Sequence, residues 1–462
     1  MNRVNGVLVW TAAAVLLVGC GSVPVQDVSP VAAEASKASG EPFHFRLAAD
    51  GLPSDGFWKS TAVITDVNGD GFRDLVVHPR LAKGPKAFLG NGQGKWLDSS
   101  EGLGMNLSCG GGLQLADLDR DGKLDLVVAD HCDGVFVFLG DGQGKWRNVV
   151  KGMATEFGQS AKVKERDPQG FKGAEAVAVG DVDGDGHLDL VISGSDQGGL
   201  TVFLGDGTGR SWKELKLSGL PNGEQPDPGD IYNGGWAFDL WLKDMNGDGI
   251  LDVVASYFTG PRVWHGDGKG RFRDSSQGLI KTRLGGIYGR IATGDLDRDG
   301  RPDIVVANNY NGAEAYLQRP DGSWQGPIDV MPELKGGAQS VAVADFDGDG
   351  NPDVVIGGAM SPEPNYEWIP YGLYVRWGNG KGEFSARPGT DLPSIGLEVI
   401  WGINATDVNG DGRPDLVVSA GGASGRISVR PPGQSPGSKA VAQQAYPAPN
   451  VQVWLNEAAA RP

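Results

Sequence analysis

Seven copies of one acidic nonapeptide constrain this chain more than any other feature. They begin at Asp66, Asp117, Asp181, Asp244, Asp295, Asp345 and Asp407, and each reads D-x-[DN]-x-D-G-x-x-D. Every copy runs directly into an apolar stretch such as Leu75-Val76-Val77. Oxygen donors at positions 1, 3, 5 and 9, with a main-chain carbonyl at 7, make a loop that wraps a hard cation, and the Gly at 6 allows the sharp turn. The first loop offers Asp66, Asn68, Asp70 and Asp74 with the carbonyl of Phe72, and the second Asp117, Asp119, Asp121 and Asp125 with Lys123. The third offers Asp181, Asp183, Asp185 and Asp189 with His187, and the fourth Asp244, Asn246, Asp248 and Asp252 with Ile250. The fifth offers Asp295, Asp297, Asp299 and Asp303 with Arg301, and the sixth Asp345, Asp347, Asp349 and Asp353 with Asn351. Asp407, Asn409, Asp411 and Asp415, with Arg413, complete the set. Carboxylates and carbonyls in a flexible loop suit Ca²⁺ better than Mg²⁺, so up to seven Ca²⁺ are expected. An EF-hand is excluded: it needs a bidentate Glu at position 12, where all seven copies are apolar (Val77, Val128, Ile192, Ala255, Val306, Ile356, Val418).

The spacing of the loops sets the architecture. Successive first aspartates lie 51, 64, 63, 51, 50 and 62 residues apart, a unit of fifty residues with insertions in some copies. Periods of this size mark propellers or solenoids. Each unit reads as four short strands. One precedes the loop (Val177-Ala178-Val179), one follows it (Leu126-Val127-Val128), and a third is Val135 to Leu139 in the second unit. A G-[DN]-G-x-G turn, as at Gly90 to Gly94, then leads to a fourth strand that opens on an aromatic: Trp96, Trp146, Trp212, Phe272, Trp324 or Phe384. With no helical periodicity the expected class is all-β, a seven-bladed β-propeller of four-stranded antiparallel blades. The seventh unit stops after its third strand, Val451 to Leu455, and the missing fourth sits at the N-terminus. Phe45 to Leu52 aligns without gaps with Trp96 to Leu103 and with Phe272 to Leu279, so the last blade should be closed by an N-terminal strand, leaving no free edge.

The pattern resembles the FG-GAP/VCBS family, the calcium-loop propeller repeats also found in integrin α-chains and many bacterial surface proteins. The resemblance covers Phe43 to Glu457 and implies the fold. It leaves function open, because the family includes adhesins, lectins, scaffold proteins and a few enzymes.

The N-terminus reads as a processing signal. Arg3 precedes an apolar run, Val7 to Val18, too short to span a bilayer. It ends Leu17-Val18-Gly19-Cys20, which resembles a bacterial lipobox; the resemblance implies cleavage before Cys20 and lipidation of its thiol. Residues 1–19 are thus expected to be a lipoprotein signal peptide, 20–42 a flexible tether, and 43–458 the propeller. Gly21 in place of Asp implies an outer-membrane or cell-surface location, reached through the lipid anchor. Cys109 and Cys132 then remain as an even pair in an exported protein, which predicts a disulfide.

Net charge is −17, which disfavours nucleic acid as a partner. The loops alone hold 25 carboxylates, and seven divalent cations would bring the charge to about −3, so the metal should contribute to folding.

In a four-stranded blade the acidic loops and the Gly-rich turns share one face. The longer insertions (155–173, 221–235, 360–371, 425–449) fall on the other, where variable loops suit recognition. Aromatics and polar groups on that face make Trp58, His78, His131, Trp236, Tyr288, Arg290, Trp368 and Trp401 candidate ligand contacts, with Tyr232, Tyr366, Tyr371, Arg80, Asp130, Asn308 and Asn309 nearby. Aromatic faces beside amide and acidic groups suit a glycan or a protein segment. The expected function is a lipid-anchored, calcium-stabilised binding or adhesion propeller, acting as a monomer. The alternatives are a structural or assembly lipoprotein, or a sugar-active enzyme such as a polysaccharide lyase. An enzyme would need an acid/base pair. The chain has 5 His and no GxSxG or HExxH motif, and no catalytic residue stands out.

Overall fold

The computed structural model describes residues 43–195, 198–225, 235–257, 259–280, 288–332, 337–359, 372–392, 397, 399–421 and 450–458. Cys20, Tyr232, Tyr366, Trp368 and Tyr371 lie outside them, as do most of the insertions at 221–235, 360–371 and 425–449.

Strands form wherever a run of β-branched and aromatic residues is bounded by Gly/Asp turns. Blade 1 is Val63–Thr65, Asp74–Val77, Lys86–Gly90 and Trp96–Asp98. Blade 2 is Leu113–Ala116, Asp125–Asp130, Gly134–Gly140 and Trp146–Met153. Blade 3 is Ala174–Gly180, Asp189–Gly194, Gly199–Gly205 and Trp212–Glu214. Blade 4 is Ala237–Lys243, Asp252–Tyr257, Gly260–Gly266 and Phe272–Asp274. Blade 5 is Tyr288–Gly294, Asp303–Asn308, Gly312–Gln318 and Trp324–Asp329. Blade 6 is Gly337–Ala344, Asp353–Ala359, Leu373–Gly378 and Phe384–Ser385. Blade 7 is Ile400–Thr406, Asp415–Ala420 and Val451–Ala458, completed by Phe43–Leu47. Each acidic nonapeptide joins a first strand to a second.

The ring closes. Each first strand touches the first strand of the next blade, and that of blade 7 touches that of blade 1. Phe43–Leu47 pairs antiparallel with Val451–Ala458, Phe43 opposite Ala458 and Leu47 opposite Trp454. Among the described residues there are seven buried apolar clusters, one per blade interface. The one between blades 7 and 1 joins Val417, Val451 and Val453 to Leu75, Val77 and Phe88. A fixed contact also links neighbours along the rim. The Trp146 N–H donates to Glu101 O at 3.0 Å, and the Trp324 N–H to Gln277 O at 2.8 Å. Trp96 N–H makes the equivalent bond to Asp50 O at 2.8 Å, so the N-terminal segment stands where a fourth strand stands in every other blade. This close approach requires glycine: at Gly102 (φ 93°) an added Cβ would lie 1.7 Å from Trp146 O.

Two features depart from the sequence reading. The insertion at 155–173 contains a short helix, Ala161–Arg166, whose first turn is capped by Ser160 accepting from Val163 N–H. Phe57–Trp58 pairs with Pro79–Arg80 as an extra two-stranded ribbon beside blade 1. Neither has a repeat-wide counterpart, so the alignment of units gave no signal for them.

Candidate metal loops and the opposite mouth

In each acidic loop the position-1 carboxylate organises the turn. Asp66 accepts from the N–H of Gly69 at 2.7 Å, Asp70 at 3.2 Å and Gly71 at 2.8 Å. The position-9 carboxylate does more than sequence reasoning assigned to it. In all seven blades one oxygen accepts from the position-2 N–H and the other from the end of the third strand. Asp353 takes Phe346 N–H and Gly378 N–H, both at 2.9 Å, and Asp415 takes Val408 at 2.8 Å and Asn456 at 2.7 Å. Position 9 therefore ties the loop to its own sheet as well as facing the other donors.

The donor sets fit a cation. In the loops of blades 2, 3, 5 and 6, three carboxylates bring ligand atoms within 4.8 Å of one another. Position-3 oxygens Asp119 Oδ1 and Asp297 Oδ1 are buried without a hydrogen-bond partner, which is costly unless something else satisfies them. Burial, together with the neighbouring loop carboxylates, pushes the position-9 groups up: Asp74, Asp189 and Asp415 to about 6, Asp125 and Asp303 to about 7, and Asp353 to about 8. Asp252 moves the same way for the same leading reason. Basic side chains at position 7 lean on the position-5 carboxylate: Lys123 on Asp121 at 2.9 Å, Arg413 on Asp411 at 2.7 Å, His187 on Asp185 at 3.2 Å, and Arg301 on Asp299.

The opposite face is built differently. The first strands of blades 3 to 7 each carry a β-bulge near their start. In four of them the bulged residue stands six positions before the first Asp of its loop: Glu175, Phe238, Gln339 and Trp401. In blade 5 the bulge takes in Gly289 and Arg290. Bulges re-aim side chains and leave main-chain groups out of the ladder. Arg290 collects those groups. Its guanidinium donates to Trp401 O at 3.1 Å, Phe238 O at 2.7 Å and Lys59 O at 2.7 Å, joining blades 7, 4 and 1 to blade 5. Asp239 lies 3.6 Å from it; burial raises that carboxyl, and Arg290 offsets only part of the rise.

Beside this bolt sits a buried charge cluster. Glu175, fully buried, holds Lys59 Nζ at 2.6 Å and His131 Nδ1 at 2.6 Å. Burial would raise the Glu175 carboxyl, but Lys59 and His131 outweigh it and hold the group below its usual range. Trp236 lies tilted against the His131 ring at 5.3 Å and stacks on Phe238 at 5.0 Å. The turn bearing His131 is fixed from beneath. Asp130 accepts from Cys109 N–H at 2.8 Å, and from Cys132 and Asp133 N–H at 3.0 Å each. Cys109 and Cys132 are disulfide-bonded, with Cα atoms 5.6 Å apart. His78 Nε2 lies 3.2 Å from Asp130.

Several residues singled out as ligand-facing are interior. His78 is completely buried behind Asp130, and Trp58 is buried in the core between blades 7 and 1. Tyr288 is buried and donates to Glu314 at 3.2 Å, in a cluster completed by Tyr316 at 2.9 Å and Asn308 at 2.9 Å. Arg290 is spent on main-chain carbonyls. These side chains build the mouth instead of lining it. His131, Trp236 and Trp401 are half-buried and remain at its surface. Lys59, Glu175 and Phe238 were missed. Their one signal was position: Glu175 and Phe238 occupy the same place in the repeat as Trp401.

A ring of seven four-stranded blades with an acidic loop at each first turn defines a β-propeller with a candidate metal loop in every blade. Stretches 66–128, 117–192, 181–237, 244–306, 295–356 and 368–418 match the FG-GAP-like repeat, and the chain belongs to that family. Among solved structures it is similar to BBS1N in complex with ARL6DN, at TM-score 0.50 and 11% identity over 81% of this chain and 94% of that one. An Agrocybe aegerita lectin that recognises non-reducing terminal N-acetylglucosamine matches at TM-score 0.45 and 20% identity, over 72% and 80% of the two chains. A Bacillus licheniformis rhamnogalacturonan lyase matches at TM-score 0.45 and 14% identity, over 81% and 74%. At these identities the likeness is one of fold. No match was found among curated proteins.

Proposed function

We propose that this is a lipid-anchored, calcium-stabilised extracytoplasmic propeller of the outer membrane or cell surface, which binds a glycan or a protein on the face opposite its acidic loops. The observation that carries the reading is the contrast between faces. One is seven near-copies of a cation loop. On the other, a single repeat position is occupied by Glu175, Phe238, Gln339 and Trp401 and is turned out of register by bulges. Function resides in such grafted variation more than in the fold.

The pairing of the chain ends sets how an anchored propeller would face. Phe43 pairs with Ala458 at the acidic-loop end of blade 7. A tether of residues 20–42 running from a lipidated Cys20 would join the propeller there and leave the opposite face pointing away from the membrane. No helix among the described residues is long and apolar enough to cross a membrane. With the lipid on Cys20 as the anchor, a Cys20→Ser protein should leave the membrane fraction for the soluble exported fraction; continued sedimentation with membranes after a salt wash would place the anchor elsewhere. The Cys20→Ser protein, titrated calorimetrically, should take up several Ca²⁺ per chain. A sugar-active enzyme is the second reading, favoured by the carboxylate-backed His131. It predicts new reducing ends or unsaturated products when acidic polysaccharides are incubated with the protein.

A further inference from the structure

The mouth opposite the acidic loops contains more buried charge than closure of a propeller requires. Taking an ion out of water costs several kcal/mol, and an apolar trio of similar volume would pack as well or better. Here Glu175, Lys59 and His131 are kept, and their one product at the surface is an imidazole held in a single orientation. The His131 side chain is 24% exposed, and with Nδ1 committed to Glu175 at 2.6 Å it is Nε2 that meets solvent. Its position is determined several times over. His131 N–H donates to Gly110 O at 3.0 Å, the disulfide and the Asp130 carboxylate pin the residues on either side, and Trp236 covers the ring. A ring nitrogen backed by a buried carboxylate and a rigid second layer is how proteins present a hydrogen-bonding group to a ligand.

The surroundings narrow the ligand. Arg290 bonds main-chain carbonyls of blades 1, 4 and 7 at once, so the axis is bolted at this level and a ligand rests on the mouth instead of threading it. The same bonds hold the main-chain carbonyls of Phe238 and Trp401 around one guanidinium, and Lys59 connects that group to His131 through Glu175. The Phe238 ring stacks on Trp236, which lies against His131, whereas the Trp401 ring packs on Phe57 at 5.2 Å and its Nε1–H donates to Gly421 O at 2.8 Å. The rings here are half-buried, and none is among the large exposed apolar side chains of the described residues (Leu47, Phe72, Leu81, Leu97, Leu107, Leu217). A protein partner would call for a protruding aromatic or Arg anchor at the centre of the patch. Partly exposed rings around a few fixed polar atoms suit a compact hydroxylated ring.

We propose that this mouth is a carbohydrate subsite in which His131 Nε2 hydrogen-bonds a sugar hydroxyl and the rings of Trp236 and Phe238 border the pyranose. The inference rests on the binding-face reading and narrows it from glycan or protein to glycan.

The test uses the exported Cys20→Ser protein in saturating Ca²⁺ on an array of terminal hexose, hexosamine and uronate oligosaccharides. The expected result is binding to one class. Affinity should fall at least tenfold in His131→Gln and in Trp236→Ala, each verified as folded with its Ca²⁺ stoichiometry intact, and be retained in Lys86→Ala, in the third strand of blade 1 where it pairs with Asp98. Binding lost in Trp236→Ala but equal in His131→Gln and Lys86→Ala overturns the His131 anchor and leaves the face reading standing. Binding indifferent to both mouth substitutions overturns the subsite and the face reading together. An array with no bound oligosaccharide overturns the carbohydrate inference. If a protein is captured instead and its capture is lost in Trp236→Ala, the face reading survives.

Discussion

The two faces of this propeller solve different problems with the same strands. On the acidic-loop face every blade repeats one device: a position-1 carboxylate that shapes the turn and a position-9 carboxylate that ties it to the third strand. In the loops of blades 2, 3, 5 and 6 three carboxylates bring ligand atoms within 4.8 Å of one another, a donor set that fits a cation. On the opposite face the equivalent residues differ from blade to blade, and the buried charges there are already satisfied by other side chains and main-chain groups. The first face should respond to metal and proton concentration, and the second to substitution of individual residues.

The largest effect should come from removing residues up to Leu52, which strips the closing strand and its rim contact from blade 7. That protein should be unfolded or melt far below one shortened only to Glu41; equal melting temperatures for the two would break the closure. Chelation comes next. Excess EDTA should lower the melting temperature by more than about ten degrees, because metal-binding free energy is folding free energy. An unchanged melt would remove the distinction between the faces.

The chelated protein should also show a pH dependence of a defined sign. The position-9 carboxyls have folded values raised from 3.8 to about 6 (Asp74), about 7 (Asp125) and about 8 (Asp353). A raised acid favours the folded state while it holds its proton, so that stability is present at low pH and is lost as pH rises through 6 to 8. In EDTA the melting temperature should therefore climb as pH is lowered from 8 towards 5. In saturating Ca²⁺ the climb should disappear, and a climb of the same size with Ca²⁺ bound would refute metal binding at these loops.

On the other face, Arg290→Met in saturating Ca²⁺ should cost about 3 to 5 kcal/mol, because it strands three carbonyls and the buried Asp239. The urea midpoint should drop while the number of bound Ca²⁺ stays the same; a lower stoichiometry would show that the faces are coupled. Replacing both Cys109 and Cys132 by Ser should cost on the order of 3 kcal/mol for a bridge spanning 23 residues. Alkylation of the unfolded, non-reduced Cys20→Ser protein should find no free thiol, and two would exclude the bridge. The smallest effect belongs to Asp248→Ala, which disables one loop of seven and should lower the melting temperature by a fraction of the chelation effect. A loss equal to full chelation would mean that the loops act as one unit.

How much was legible in the sequence follows from how local each feature is. The acidic loop closes within nine residues, and the Gly-rich turn and strand-four aromatic follow at short, repeated distances. Seven copies make each of these visible, and the alignment of Phe45 to Leu52 with Trp96 to Leu103 carried the ring closure despite nearly the whole chain lying between the paired strands. The repeat therefore determined the fold, the number of blades, and which residues could surround a cation. It could not determine the mouth. Arg290 meets Lys59 across 231 positions and Trp401 across 111, and nothing periodic connects them. His78 and Tyr288 read as available polar groups because sequence shows chemistry but not burial; packing turned both inward, against Asp130 and Glu314. Glu175 became the centre of the site because a bulge at Ala174–Ala176 shifts the ladder there, and because Lys59 and His131 arrive from blades 1 and 2. A short-range pattern fixes what a turn can bind, whereas a site assembled from four blades exists only once the ring has closed and brought their ends to one axis.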